Sequence, residues 1–377
     1  MSRSNMIFVS LFCIIISIQY GLVNTNLEIT GFLSTIIMLI EMLIFFLYIV
    51  NKNYKMRILI GIGFLLFVAF VSYITTGETV FMIMIMVGVV AGEGNWERLF
   101  YTIFYVRLGM LILIVSLAIM GVINNTAISI IKGGTTEEII GYGGGFDHPN
   151  QFAFMIGYLL LLWIACKSEN IRSYHLVALA ICTCIGYYIT RSRTLIIVIF
   201  YVILMCLVYI MNCKKNAIKK CIYIVGEIFM PTCALMALGL PVLMTNATGR
   251  VQEILYTING IFGSRFTHSA RVYENYPIPI FGGITDFDIL QKLYQYSVVD
   301  NGYLRLLYNF GIIGFTLFII LYLLTIRKLA HNGKYIWIIL IMGVSLWGIS
   351  ENILRTFAFN FTPIFWGVLL MEKQSTE

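Results

Sequence analysis

Long apolar runs alternate with short polar breaks along almost the whole chain. Crossing the hydrocarbon core of a bilayer takes about 20 apolar residues in a helix, and lipid offers no water to bond the backbone amides. The pattern predicts one integral membrane domain over residues 1–377, all-α and polytopic. Its twelve predicted transmembrane helices are 6–22, 31–50, 57–74, 79–92, 100–123, 150–166, 175–190, 194–211, 222–244, 303–326, 335–350 and 356–371.

The composition agrees with this pattern. Of the 377 residues, 60% are hydrophobic and 11% are charged, whereas soluble domains carry about 25% charged residues. A soluble globular protein is therefore excluded. The first apolar run follows Arg3 as a signal sequence would, but it lacks a small-x-small cleavage site, so we interpret it as a retained helix. The eight cysteines fall within helices or at their cytoplasmic ends, which argues against disulfides and a zinc site.

The distribution of Lys and Arg predicts the orientation. With the N-terminus in the cytoplasm, fifteen of these residues fall on the cytoplasmic side and nine on the outer side, and Arg107 lies within the fifth span. Because cytoplasmic loops are enriched in Lys and Arg, we predict a multi-pass protein of the cytoplasmic membrane with both termini inside. The same rule explains the basic cluster at 214–220, for which lipid or nucleic-acid binding is the alternative. No nucleic-acid partner is predicted.

Two carboxylates lie within predicted spans, Glu41 and Glu227. An intramembrane carboxylate costs at least about 2.5 kcal/mol, which makes each a functional candidate. A protonated or paired interhelical hydrogen bond in the helix bundle is the alternative, and we favour it for both residues. Charges at such positions also keep a transporter among the possible functions.

The longest polar stretch is a predicted extracytoplasmic loop at 245–302. Helical apolar spacing at 251–262 and at 287–296 predicts two short amphipathic helices, the second capped by Asp286. Between them, 277–283 contains two prolines and two glycines and cannot be helical throughout. We therefore expect a folded lid or platform over the helices.

Two further outer segments carry polar residues. The stretch 124–148 contains Gly133-Gly134 and the glycine-rich run 141–145, which predicts a flexible turn, with close approach to a ligand as the alternative. It leads into His148 and Asn150 at the start of the sixth span.

A tight outer turn between the seventh and eighth spans holds Arg191 and Arg193, against the orientation rule. Guanidinium forks bind phosphate or carboxylate through two hydrogen bonds, so an anionic group is the expected partner. Contact with ordinary lipid phosphates is the alternative.

Three motifs occur in order on the predicted outer face. His148-Pro-Asn-Gln-Phe-Ala opens one helix, Arg191-Ser-Arg-Thr opens another, and the large loop contains Phe281-Gly-Gly and ends in Asp300-Asn-Gly-Tyr-Leu-Arg. Over about residues 140–330 the chain resembles the Wzy-type polysaccharide polymerases and their relatives, the O-antigen ligases. Ligases typically have a histidine where Asp300 stands. An aspartate before a helix with Gly-x-x-Gly is similar to the peptidoglycan polymerases of the shape, elongation, division and sporulation class.

The resemblance implies a membrane glycosyltransferase that joins lipid-linked oligosaccharide repeat units into capsule, exopolysaccharide or O-antigen. Its donor and acceptor would be oligosaccharides on polyprenyl pyrophosphate, such as undecaprenyl pyrophosphate, held in the lipid bilayer. A chain-length regulator and a flippase of the same pathway are implied partners. An O-antigen-type ligase is one alternative, and a lipid-linked oligosaccharide flippase or transporter is another. Most polar residues lie at the outer face, which favours surface chemistry over transport.

The residues on that face suit glycosyl transfer. Negative charge develops on the departing pyrophosphate, and fixed guanidinium groups stabilise it, so no metal or other cofactor is predicted. The candidate general base is Asp300, for which a helix N-cap is the alternative role, followed by Glu351 and His268. A local ion pair with the residue four positions on is the alternative for Glu351. The candidate pyrophosphate ligands are Arg191, Arg193, Arg265, Arg271, Arg305 and Arg355, and the candidate substrate-binding residues are His148, Asn150, Asn301 and Tyr303.

Overall fold

The computed structural model describes residues 3–27, 31–52, 54–92, 96–131, 138–212, 215–283, 287–296 and 298–370. Helices make up most of this part of the chain. They are α1 (Arg3–Gly21), α2 (Gly31–Val50), α3 (Met56–Thr76), α4 (Val80–Ala91), α5 (Trp96–Ile119), α6 (Pro149–Cys166), α7 (Ser173–Thr190), α8 (Arg193–Asn212), α9 (Asn216–Asn246), α10 (Gly249–Ile261), α11 (Arg265–Asn275), α12 (Asp288–Tyr294), α13 (Gly302–His331) and α14 (Tyr335–Trp347). Two strands, β1 (Ala127–Ile131) and β2 (Glu138–Tyr142), and a 3-10 helix, Thr362–Leu370, complete the described elements.

Eight helices in the described ranges are long and apolar enough to cross a membrane, namely α2, α3, α5, α6, α7, α8, α9 and α13. The chain is therefore a multi-pass helical membrane protein, as the sequence predicts. Three apolar helices are shorter: Ile7–Gly21 within α1, Val80–Ala91 and Tyr335–Trp347. The predicted twelfth span at 356–371 is not an α-helix, since turns lead into a nine-residue 3-10 helix. At about 2 Å per residue it measures about 18 Å, well short of the roughly 30 Å hydrocarbon core.

Burial in protein explains why this last segment departs from a regular span. Nearly every residue of α14 and of 348–368 is buried. Asn360 bonds the irregular backbone, because its Nδ2 donates to the Leu354 carbonyl at 2.9 Å and its Oδ1 accepts from the Thr362 amide at 3.0 Å. Non-helical backbone at membrane depth is tolerated where protein groups satisfy it. Hydropathy alone does not distinguish such a segment from a spanning helix.

The chain forms two compact units. Unit 1 comprises Met1–Lys55, Gly88–Ile218 and Leu370–Glu377, and unit 2 comprises Met56–Val87 and Lys219–Leu369. In unit 1, α6 is buried along most of its length and packs against α5, α7 and α8, while α1 packs against α2 and α5. Unit 2 contains α13, which packs against α3 and α14.

In unit 1, part of the stretch predicted as a flexible turn forms a β-hairpin. Strands β1 and β2 pair antiparallel, with Ala127 opposite Tyr142. After the hairpin, the Gly143 amide donates to the Thr126 carbonyl at 2.8 Å and Gly145 accepts from the Asn26 amide at 2.9 Å. Gly144 and Gly145 form a turn, as predicted, whereas residues 138–142 are a strand. Backbone bonds hold this turn in place, and the glycines allow the close packing. Gly133-Gly134 lie outside the described residues.

The intramembrane charges of unit 1 lie between helices. Glu41 on α2 is buried, and the Gln19 side-chain nitrogen, once the amide is oriented to donate, lies 2.6 Å from Glu41 Oε1. Arg107 is fully buried, with its guanidinium 5.1 Å from the centre of the Tyr158 ring. The hydrogen-bond interpretation of Glu41 is therefore the one that the structure supports.

The predicted outer loop, in unit 2, is a folded element. It contains α10, α11 and α12, one helix more than predicted, and the predicted cap Asp286 lies outside the described residues. A hydrophobic cluster joins the loop to α13: Val272, Phe287 and Leu290 pack with Leu304 and Tyr308. We refer to the loop helices α10, α11 and α12 as the platform.

The segment that connects α11 to α12 contacts a break in α13. Gly311 adopts φ 71° and ψ 177°, which interrupts the helix. The amides of Ile312 and Ile313 donate to the carbonyls of Pro279 and Ile280 at 3.0 and 3.1 Å. The two glycine motifs near 281 and 311, which are far apart in the sequence, therefore lie against each other.

Gly311→Ala is expected to destabilise unit 2. A Cβ there would lie 2.2 Å from the Gly282 amide nitrogen and 2.3 Å from the Ile280 carbonyl oxygen. The positive φ alone costs a non-glycine residue about 1–3 kcal/mol, and the backbone contact adds to this. The measurement is the unfolding midpoint of the purified protein in detergent. The matched control is Gly63→Ala on α3, where an added Cβ meets nothing within 4 Å. Equal midpoints for the two variants would show that the contact at the break is not needed.

Candidate functional site

Three of the predicted site residues meet beside the start of α13. Arg265 Nη2 lies 2.6 Å from Glu351 Oε1, and Arg265 Nε lies 3.8 Å from Asp300 Oδ2. The Glu351 side chain is only 2% exposed, whereas that of Asp300 is 30% exposed. Glu351 therefore holds Arg265 from the buried side, and Asp300 is the carboxylate that a substrate can reach. We call these three residues the carboxylate–arginine cluster.

Asn301, and not Asp300, is the N-cap of α13. Its Oδ1 accepts from the Leu304 amide at 3.1 Å, while its Nδ2 donates to the Ala237 carbonyl at 2.7 Å and to Ser269 Oγ at 3.1 Å. The capping role that the sequence left open for Asp300 is thus wrong by one residue. Because Asn301 is fully buried, its contacts favour a positioning role over the predicted contact with substrate.

Tyr303 is buried in the same region. Its hydroxyl donates to the Ser345 carbonyl on α14 at 2.9 Å, and its ring is fully buried. The Gly302 amide donates to the Gly348 carbonyl at 2.9 Å. These bonds join the start of α13 to the end of α14. A positioning role is again favoured over the predicted substrate contact.

Helix α11 places Arg265 and His268, and its start depends on the preceding helix. Asn259 on α10 is buried, and its Oδ1 accepts from the amides of Phe266 and Thr267 at 3.0 and 3.3 Å. First-turn amides need such partners, which usually come from the residue directly before the helix. Here the partner lies six residues before Arg265, while Ser264 directly before the helix makes no side-chain cap hydrogen bond. Helix α11 was not predicted.

His268 lies one helical turn after Arg265, and its ring centre is 4.2 Å from that of Tyr296. Burial lowers the pKa of His268 from its ordinary 6.5, the charge of Arg271 lowers it further, and Asp300 opposes these effects. Arg265 also lowers the pKa. The imidazole is therefore neutral at pH 7 and can accept a proton, which keeps His268 a candidate base.

Two more arginines of unit 2 stack on aromatic rings. The guanidinium of Arg271 lies 4.2 Å from the centre of the Tyr294 ring, and that of Arg305 lies 4.5 Å from the centre of the Phe287 ring. Both rings belong to the α12 part of the platform. Stacking fixes the plane of each guanidinium group, and Arg305 Nε also donates to the Val299 carbonyl at 3.4 Å.

Arg355 binds a carboxylate that the sequence did not single out. Its Nη1 lies 2.8 and 2.6 Å from the two carboxylate oxygens of Glu78, and Asn309 Nδ2 donates to Glu78 Oε2 at 3.0 Å. Residues 350–361 form turns, so the helical spacing assumed for a pair between Glu351 and Arg355 does not exist. Glu78 stands in a short turn between α3 and α4, and no local pattern marks it.

The remaining candidates belong to unit 1. His148 caps α6, because its Nδ1 accepts from the Asn150 amide at 3.0 Å. Arg191 ends α7 in the left-handed conformation, with φ 59°, and its guanidinium lies 4.6 Å from the centre of the Tyr188 ring. Arg193 begins α8 and is exposed.

These unit 1 candidates lie at one end of the unit. A Cβ on Gly141 would lie 2.8 Å from the Thr190 carbonyl oxygen and 3.3 Å from the Pro149 ring. The strand β2 thus contacts both the end of α7 and the start of α6. His148 and Arg191, each next to one of these residues, are therefore near each other.

No protein-family model, curated protein or solved structure matches the chain. The fold and the geometry alone define its class, a multi-pass helical membrane protein with a carboxylate–arginine cluster beside a folded platform. Within the described ranges, no three His, Cys, Asp or Glu side chains come together as a metal site requires.

Proposed function

We propose that the protein is a membrane glycosyltransferase that polymerises polyprenyl-pyrophosphate-linked oligosaccharides into a surface polysaccharide at the outer face of the cytoplasmic membrane. The observation that carries the proposal is the carboxylate–arginine cluster. It holds a partly exposed carboxylate, Asp300, 3.8 Å from a guanidinium that the buried carboxylate of Glu351 keeps in place. The motif resemblance to Wzy-type polymerases supports the same function.

In the proposed reaction, an acceptor hydroxyl attacks the anomeric carbon of the donor sugar. The bond from that carbon to the pyrophosphate oxygen breaks, and the hydroxyl proton passes to Asp300. Arg265, Arg271 and Arg305 stabilise the negative charge that develops on the leaving polyprenyl pyrophosphate. They supply the positive charge for which other glycosyltransferases use a metal ion, so the proposal needs no cofactor.

The other predicted arginines have different parts in this proposal. Arg191 and Arg193, in unit 1, stay candidate pyrophosphate ligands on the sequence pattern alone. Arg355 already binds the carboxylate of Glu78 through a charge-assisted contact, so we give it a lesser part. His148 and Asn150 remain candidates for contact with the sugar.

The proposed topology has twelve passes with both termini in the cytoplasm and the platform outside. In this topology the eight long helices and the three shorter apolar helices are eleven of the passes. The twelfth is the whole stretch 350–370, turns followed by a 3-10 helix, since the 3-10 helix alone is too short to cross. The excess of Lys and Arg on the predicted inner side supports this orientation.

Cysteine labelling is expected to show this orientation. In a background without native cysteines, Gln291→Cys on the platform should react with an impermeant thiol reagent in intact cells. Asn216→Cys at the start of α9 should react only after the cells are broken. Both side chains are exposed in the structure, so burial does not protect either one. Labelling of Asn216→Cys alone would reverse the proposed orientation.

Reconstitution tests the reaction itself. The purified protein in liposomes, supplied with the lipid-linked repeat unit of its host, should produce a ladder of products that lengthens with time. Transfer of a glycan only to a separate acceptor would indicate a ligase. Movement of the lipid-linked unit across the bilayer without a new glycosidic bond would indicate a flippase and contradict the proposal.

A further inference from the structure

A groove of about 500 Å³ lies between α9 and α13 of unit 2, near the opposite end of α13 from Asp300. Glu227 is the first of its α9 residues and Arg327 the last of its α13 residues, and these two form an ion pair. The charged pair therefore closes one end of the groove. The rest of the lining is mainly apolar: Ile228, Pro231, Thr232, Leu235 and Leu323.

The groove begins at Glu227, next to a position where α9 packs closely against its neighbours. At Gly226 the helices are in close contact, since a Cβ there would lie 2.5 Å from Ile338 Cγ2. The Tyr322 hydroxyl donates to the Gly226 carbonyl at 3.2 Å on the same side. Further along α9, the groove is open at Leu235, whose side chain is 74% exposed. About 12 Å of α9 separates Glu227 from Leu235, so the slot suits an extended apolar chain.

The charged end presents a cation to the outside. Arg327 Nε donates to Glu227 Oε1, and the Arg327 side chain is 61% exposed against 21% for Glu227. A guanidinium has five N–H groups, so Arg327 can hold Glu227 and a second oxyanion together. Glu227 is therefore a paired carboxylate. The sequence favoured pairing over a functional role for this residue.

Positive charge predominates at this end of the two helices. The pairing of Glu227 with Arg327 places the start of α9 and the end of α13 together. Residues 216–228 and 320–334 contain one carboxylate, Glu227. They contain five basic side chains: Lys219, Lys220, Arg327, Lys328 and Lys334. Charge complementarity at the groove therefore favours an anionic occupant.

We propose that the groove binds one anionic phospholipid of the bilayer, with its phosphate on Arg327 and an acyl chain along Pro231, Leu235 and Leu323. Basic pockets between membrane helices bind anionic headgroups, and the volume lies within the range of small-molecule sites. A zwitterionic lipid would add a cation beside the lysines and bind less tightly. This site is independent of the proposed glycosyl transfer.

Native mass spectrometry of the full-length protein in detergent tests this site. The probes are phosphatidylglycerol and phosphatidylcholine with the same acyl chains. We expect one phosphatidylglycerol to be retained per chain, at a concentration at least about tenfold below that needed for phosphatidylcholine. Arg327→Gln should abolish this preference. Lys328→Gln, which makes the same charge change beside the groove, should retain it.

A second variant separates lipid binding from the ion pair. Leu235→Trp fills the apolar slot without altering charge and should reduce retention of phosphatidylglycerol about tenfold. Equal retention of the two lipids by the wild type would overturn the proposal. So would equal losses in Arg327→Gln and Lys328→Gln, or a lipid-free dimer, which would show that a second copy covers the groove. A glycosyl-transfer defect alone would not affect these measurements.

Discussion

Asp300→Asn is expected to lower the polymerisation rate by about 10²–10⁴-fold, the usual contribution of a general base. The protein should remain folded, because the N-cap of α13 is Asn301 and stays in place. The contact of Asp300 with Arg265 is 3.8 Å long and the carboxylate is 30% exposed, so its loss should cost at most about 1 kcal/mol of stability. The measurement is the initial rate of product formation by the reconstituted variant, together with its unfolding midpoint.

Two further variants sharpen this test. Asp300→Glu restores a carboxylate displaced by one methylene and should recover part of the rate. Glu274→Gln, an exposed carboxylate of the same platform, is the matched control and should leave the rate unchanged. If Asp300→Asn polymerised the repeat unit at the wild-type rate, Asp300 would lose its assignment. Glu351 and then His268 would be the next bases to examine.

Arg265→Gln is expected to destabilise unit 2 by about 3–5 kcal/mol, because it leaves the buried carboxylate of Glu351 without its 2.6 Å partner. Glu351→Gln should be destabilising for the same reason, since it removes the negative charge that binds Arg265. The double variant should lose less than the sum of the two, because both single variants remove the same 2.6 Å contact. A double-mutant cycle of unfolding free energies in detergent measures this coupling.

Arg271→Gln is the matched control for this cycle. It removes an arginine of the same helix, but its guanidinium stacks on the Tyr294 ring, which is itself 36% exposed. Such a contact is worth about 0.5–1 kcal/mol at an exposed site. If Arg265→Gln were no more destabilising than Arg271→Gln, the ion pair between Arg265 and Glu351 would not contribute to stability. The carboxylate–arginine cluster would then have no role in holding the platform to the turns at 350–361.

The apolar pattern predicts the membrane helices well and the irregular segments poorly. Eight long helices follow the predicted runs closely, from Gly31–Val50 to Gly302–His331. The run at 356–371 has the same hydropathy but forms turns and a 3-10 helix. The β1–β2 hairpin was likewise missed. In both segments the backbone bonds do not follow the regular helical pattern: β1 pairs with β2, and Asn360 bonds Leu354 and Thr362. Hydropathy carries no information about such bonds.

The candidate site, too, was predicted only in part. The polar loop and its titratable residues were recognised from their position between apolar runs. The helix cap that was the alternative role for Asp300 belongs to the next residue, because Asp300 and Asn301 are both good capping residues and only the bond from Leu304 distinguishes them. Glu78 was missed altogether, since its partner Arg355 is 277 positions away.

The sequence by itself determined that the chain is a multi-pass helical membrane protein. In lipid a helix must satisfy its own backbone, so the length and polarity of each run are enough to predict it. The tertiary structure decided which charges meet, because an ion pair depends on distance in space. It joined Arg265 to Glu351, left Asp300 exposed beside them, and packed the 279–282 stretch against the break at Gly311. These contacts connect residues that are far apart in the chain, where only the packing of helices brings them together.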